Sequence, residues 1–341
     1  MRPKFGWIAS IGQLHGCLRL GGFVASLLMV SGCGGDDSPF YVVDTLRSPV
    51  LQLLQKPTGA ADGRAGCLRL PTASAGAEET WCQQFPVRPD QGLLLRVVVL
   101  APESTAAIKV VLTEMKQVRN PLASAQPARI GALSERNAKP INLDVFAVQE
   151  LEGLAKVVTT APLRLEERFF SLTIPSAESL ISELRESGSL PAYSLSYEAS
   201  AEGVRTDRGF VSFVVLPEPG SPVIDALVDG SLGGEPLSPE ARETLVSASR
   251  TNTPPQFLSI VPDGGSLGAG SENSIEVALG VDQDPDAKSR IQWFVTSGEM
   301  TGSVSSRPKW KPEKSGPGMA FAMVRDLQGG SDFLYRIFEV R

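Results

Sequence analysis

Between residues 93 and 100 the chain reads LLLRVVVL, apolar but for one arginine. Similar bursts recur at intervals: IKVVLTEM (108–115), INLDVFAV (141–148), RFFSLTI (168–174), YSLSYEA (193–199) and FVSFVVL (210–216). Each is short, rich in β-branched or aromatic residues and bounded by turn residues, so each predicts a β-strand. One segment has helical spacing instead. In SAESLISELRES (176–187) Leu180, Ile181 and Leu184 share a face, with Ser176 placed as an N-cap after Pro175. Residues 40–216 are therefore expected to form a β-rich domain with one short helix.

Residues 217–253 break the pattern with PEPGSP and DGSLGGEPLSP, dense in turn formers. Ser238-Pro239-Glu240 supplies an N-cap, a proline at the first helical position and a first-turn acid, predicting a short helix to about Ala248. This stretch reads as a linker carrying one small docked helix. From Pro254 to Arg341 alternation returns. Ile275, Val277, Leu279 and Val281 share one strand face; Ile291, Trp293 and Val295 share another. QFLSIV precedes them, and MAFAMV and FLYRIFEV close the chain around RDLQGGSD, a glycine-containing turn. Five such strands in 88 residues fit a β-sandwich of immunoglobulin size. Pro254-Pro255, Asp284-Pro285-Asp286, Trp293 and the Asp326 to Gly330 turn come in an order that resembles bacterial Ig-like and cadherin-like surface repeats. The fold expected for the whole is mainly β: two β-sandwich-type domains, the second, 254–341, Ig-like.

The N-terminus follows another logic. Arg2, Lys4 and Arg19 precede any acidic residue, and Leu20 to Val30 is an uncharged run of eleven. A bilayer-spanning helix needs ~20 apolar residues, so the run is too short to cross and fits the core of a secretory signal peptide over 1–32. It ends in Val30-Ser31-Gly32-Cys33, which resembles the lipobox of bacterial lipoproteins. The resemblance implies diacylglyceryl transfer to the Cys33 thiol, cleavage before Cys33 and acylation of the new amino terminus. One acyl chain binds a membrane only marginally, whereas several anchor durably. Gly34, where the family's sorting rule reads aspartate as inner-membrane retention, implies outer-membrane delivery. Residues 33–39 then form a polar tether.

Removing residues 1–32, which hold three basic and no acidic residues, takes 32 Lys+Arg to 29 against 38 Asp+Glu, a net −9. Such a balance disfavours nucleic acid and anionic lipid surfaces as partners. The sole histidine, His15, lies in the removed segment. Ser-His-Asp and Cys-His catalysis and histidine zinc sites are thereby excluded from the mature chain. Carboxylate or lysine chemistry stays open. Beyond Cys33 two cysteines are left, Cys67 and Cys82, bracketing a loop of small residues. In an oxidising compartment they are expected to form a disulfide, the alternatives being two free thiols or a metal pair.

Few constellations suggest chemistry. Gly264 to Gly268 spells G-x-S-x-G but has no histidine base, and reads as a turn. Asp282, Asp284 and Asp286 alternate, yet Ala287 and Trp293 stand where an EF-hand loop needs glycine and glutamate. A looser calcium site remains conceivable, with these three near Asp326 and Asp332 at one end of the sandwich. Solvated turn aspartates are the plainer reading. Trp293 and Trp310 are expected to pack and not to form a carbohydrate platform. The adjacent pairs Glu78-Glu79 and Glu166-Glu167 diverge if they lie on strands, so neither forms an acid/base couple. These readings lead to a lipid-anchored cell-envelope protein with a binding or scaffolding role and no required cofactor. Its partners would be the membrane, through the anchor, and an envelope protein or polysaccharide. The alternatives are a carboxylate-based hydrolase of envelope polysaccharide and an accessory subunit of an envelope complex.

Overall fold

In the computed structural model the LLLRVVVL run lies at the heart of a seven-stranded sheet. The structure describes residues 43–57, 66–72, 76–121, 134–160, 163–174, 176, 182, 189–230, 236–249, 254–262, 266–280, 289–326 and 329–341. The first eleven strands, in chain order, are β1 (Arg47–Gln55), β2 (Cys67–Pro71), β3 (Glu78–Gln83), β4 (Gly92–Pro102), β5 (Lys109–Pro121), β6 (Ser134–Ile141), β7 (Gln149–Glu150), β8 (Lys156–Thr160), β9 (Leu163–Thr173), β10 (Ser189–Ala201) and β11 (Val204–Val214). One sheet runs β2-β3-β1-β4-β9-β7, with β8 also on β9; a four-stranded sheet runs β11-β10-β5-β6.

Alternation along β4 explains why its sequence is apolar at both odd and even positions, Arg96 apart. Leu93, Leu95, Val97 and Val99 point into a core shared with Val110, Met115, Leu195 and Phe213 of the four-stranded sheet. Val98 and Leu100 point the other way, into a second core with Phe294, Met319, Phe321 and Met323. A strand covered on both faces has no polar side to show, so its period-2 signal disappears into a continuous run.

The remaining strands are β12 (Phe257–Pro262), β13 (Asn273–Leu279), β14 (Ser289–Val295), β15 (Glu299–Thr301), β16 (Lys309–Lys311), β17 (Gly316–Asp326) and β18 (Ser331–Val340). They form sheets β12-β13-β16-β15 and β14-β17-β18. Lettered A to G in chain order, these orders are ABED and CFG, the strand arrangement of a constant-type immunoglobulin domain. Trp293 lies on the third strand, fully buried, where that fold keeps its core tryptophan. The expected Ig-like sandwich is present, with seven strands among the described residues where alternation showed five. The two extra ones, β15 and β16, are three residues each, too short to display a period.

The β14-β17-β18 sheet is itself covered twice. Ala320, Ala322 and Val324 of β17 face Trp293 and Trp310 inside the Ig-like sandwich. Met319, Phe321 and Met323 face the seven-stranded sheet. Four sheets are thus stacked, and β4 and β17 belong to the inner two layers.

Two expectations need correction. INLDVFAV is not a strand: after Ile141 the chain makes a 3-10 turn, Leu143–Phe146. Asn142 causes it by accepting the Asp144 N–H on its side chain, and Ala147 ends it in the left-handed region at φ 44°. The 217–253 stretch holds two helices, α1 (Pro222–Asp229) and α2 (Pro239–Ser249), not one. Ser221-Pro222 starts the first as Ser238-Pro239 starts the second: Ser221 Oγ accepts from Ile224 N and Ser238 Oγ from Ala241 N. Ile224, Val228 and Leu245 cover Val118, Ala192 and Val214 on the outside of the four-stranded sheet. The helix expected over 176–187 lies, but for Ser176 and Ser182, outside the described residues.

Candidate functional site

Cys33 and the signal segment lie outside the described residues, as do Asp282, Asp284 and Asp286. Cys67 and Cys82 oppose each other in the β2–β3 ladder and are joined by a disulfide. Asp326 and Asp332 both stand at the β17–β18 hairpin, each engaged with backbone. Asp326 Oδ1 accepts from Gly330 N at 2.8 Å, and Asp332 Oδ2 accepts from Phe257 N at 2.7 Å. Among the described residues no group of three or more His, Cys, Asp or Glu side chains is placed to hold a metal ion. Trp293 and Trp310 are packed, as expected, and each indole N–H donates to a carbonyl, Ser305 and Ser297 respectively, at 2.8 Å.

Glu166 and Glu167 are buried on opposite faces of β9, and each is neutralised by arginine. The spacing Arg164-x-Glu166-x-Arg168 puts all three side chains on one face. Arg164 Nε donates to Glu166 Oε1 at 2.6 Å and Arg168 Nη2 to Oε2 at 2.7 Å. The same arginines reach across the sandwich to the carbonyls of Thr105 and Ile108, and Arg168 also pairs with Glu150 at 3.3 Å. Glu167, on the other face, receives two bonds from Arg96 at 2.9 and 2.6 Å. Both carboxylates are thus engaged by arginines of their own chain, through charge-assisted bonds. RLEER carried this signal in its two-residue spacing.

Arg96 begins a polar seam between the two inner sheets. Its Nη1 donates to Gln52 Oε1 at 2.8 Å, Gln52 Nε2 donates to Ser331 O at 2.8 Å, and its guanidinium stacks 4.7 Å from the Phe333 ring centre. Gln83 bonds both backbone groups of Ser331, accepting from its N–H at 2.8 Å and donating to its carbonyl at 2.5 Å. Arg325 donates to the Pro49 carbonyl from the facing strand. Asp332 lies near Arg96 in this seam. Burial pushes its carboxyl above the usual range, against the N–H groups of Phe257 and Phe333 and the Arg96 charge, which hold it down. These bonds, with the apolar core beside them, lock the Ig-like sandwich to the seven-stranded sheet.

On the surface, a groove of about 500 Å³ runs beside β5. Lys109 to Leu112 form one wall, Leu143, Asp144 and Val148 the other, with Phe170 below. Nothing in the sequence marked it, because its far wall is the turn that replaces an expected strand.

No protein-family model matches the chain, and no curated protein matches it. Among solved structures it is similar to a protein from Corynebacterium diphtheriae described as membrane anchored, at 11% identity and TM-score 0.21 over 85% of this chain and 58% of that one. It is also similar to murine CEACAM1b, at 12% identity and TM-score 0.20 over 75% of this chain and 94% of that one. The Yersinia pseudotuberculosis adhesin InvE gives 9% identity and TM-score 0.18 over 75% of this chain and 57% of that one. This chain therefore spans little more than half of the first and third. Superposition this loose carries no argument about activity. The Ig-like assignment rests on the strand order itself. No helix among the described residues is long and apolar enough to cross a membrane.

Proposed function

We propose that this chain is a cell-envelope protein held to a membrane by acyl chains on Cys33, and that its stacked β body acts by binding. The observation that carries the binding half is the state of the buried carboxylates: Glu166 and Glu167 face opposite sides of a sheet, each locked to arginine. The general acid and base of a carboxylate hydrolase must converge across one cleft, and these two diverge. The anchoring half rests on the Val30 to Cys33 motif and the short apolar run before it. Nine residues lie between Cys33 and Val43, and ten steps of chain reach at most ~36 Å, so the anchor holds the body near the lipid surface. Delivery to the outer membrane follows from Gly34 under the lipoprotein sorting rule.

Metabolic labelling with palmitate tests the anchor. The parent chain takes up label and fractionates with membranes, whereas Cys33→Ser takes up none. Equal labelling of the two would overturn the proposal.

A further inference from the structure

We propose that the open edge of β5 receives an extended strand from a partner protein, one alternating apolar and basic residues. This deepens the binding reading and rests on it. On one side β5 pairs with β10 from Lys109 to Pro121. On the other it pairs with β6 only between Met115 and Arg119. Among the described residues no strand covers that second edge from Lys109 to Leu112.

The groove there is lined by Lys109, Val110, Val111 and Leu112 in succession. Successive side chains on a strand point to opposite faces, so a groove touching four in a row runs along the strand's edge. At such an edge the N–H and C=O groups of alternate residues point outward and pair with whatever extended chain lies beside them. The Asn142-capped turn keeps the edge open. Had residues 141–148 continued as a strand, they would have lain along it. Instead they cross to the other sheet, where Gln149 and Glu150 join β9. Four residues at ~3.4 Å each give an edge of ~14 Å, room for four or five residues of a partner.

The walls specify the partner's side chains. Phe170 and Leu112 are buried beneath the groove, and Val148 is partly buried, so they accept apolar groups. Facing outward, Val111 is 40% exposed and Asp144 offers a carboxylate at the solvent rim. Glu150 is paired with the Arg168 cation, whereas Asp144 Oδ2 accepts from the neutral Asn142 Nδ2 at 3.0 Å and keeps its charge toward an incoming basic residue. The mature chain's −9 balance draws the same kind of partner from a distance.

The test uses the full chain in a zwitterionic detergent and a blocked, fluorescent hexapeptide alternating valine and lysine. A twin methylated on alternate backbone nitrogens keeps its side chains but cannot pair along an edge. The expected results are saturable binding of the first peptide and at least a tenfold weaker twin. Asp144→Lys, at an exposed position, is expected to weaken the parent peptide about tenfold and to favour a valine/glutamate version. Equal affinity of peptide and twin, or no binding, overturns the proposal. So does a concentration-dependent dimer in sedimentation that Asp144→Lys abolishes, because the edge would then serve a second copy. Failure here leaves the palmitate result at Cys33 untouched, so the two readings fail separately.

Discussion

Arg96 interrupts the apolar run of β4, and the structure places it at the seam with a carboxylate, an amide and an aromatic ring around it. Both members of the Arg96–Glu167 pair are nearly buried, with side chains 9% and 10% exposed. Removing one buried partner strands the other's charge, a loss of roughly 3–5 kcal/mol, whereas replacing both by apolar residues of similar volume is close to neutral. Glu167→Ala is therefore expected to lower urea stability by that amount, and Arg96→Met with Glu167→Leu to recover most of it. Asp332, two bonds away through Ser331, gives a pH signature. Its folded carboxyl holds a proton more tightly than the unfolded one, whose value is near 3.8. Stability from this group is therefore fullest below 3.8 and falls as pH rises through the folded value. Asp332→Asn keeps an oxygen for the Phe257 N–H and cannot ionise. It is expected to be more stable than the parent at pH 7, the gap closing once pH falls below 3.8. A gap independent of pH would contradict the assignment.

Whole elements show what could be read in advance. The Cys67–Cys82 pairing was legible from count and compartment, and its register, directly opposed in a hairpin, was not. Closing a loop of 15 residues is worth ~3 kcal/mol by chain entropy. Cys67→Ser with Cys82→Ser is expected to lose about that in thermal unfolding while keeping the fold. β14 was legible because Ile291, Trp293 and Val295 alternate, and the Ig-like sandwich followed from such strands. β1 passed unrecognised although it pairs with β4 at the sheet's centre, since SPVLQLLQ mixes two glutamines into its apolar positions. Those glutamines are buried hydrogen-bonding groups, Gln52 in the seam and Gln55 on the backbone of Arg88. A buried amide looks like a surface residue until its partners are known. INLDVFAV failed for the opposite reason. Its apolar residues satisfy a strand, and one asparagine cap outweighs them. α1 starts on Ser221-Pro222, the same signal that Ser238-Pro239 gives α2, but within a stretch so dense in turn formers that it reads as linker.

Across the whole molecule, the β14-β17-β18 sheet belongs to two cores at once. Phe294, Phe321 and Met323 are buried against the seven-stranded sheet. Both parts of the body are thus expected to unfold together. In a chain carrying Trp7→Phe and Trp81→Phe, the fluorescence of Trp293 and Trp310 and the far-UV signal of all the strands should lose half their amplitude at the same urea concentration. Separate midpoints would mean the seam does not couple them. A body of this kind presents faces and edges in a fixed relation, which suits the proposed binding. The proposed membrane address depends on Cys33. Mass spectrometry of the amino-terminal peptide from membranes tests this most directly. The account predicts a chain starting at Cys33 with the added mass of a diacylglyceryl group and a further acyl chain. A chain retaining Met1, or starting elsewhere with an unmodified Cys33, would contradict it.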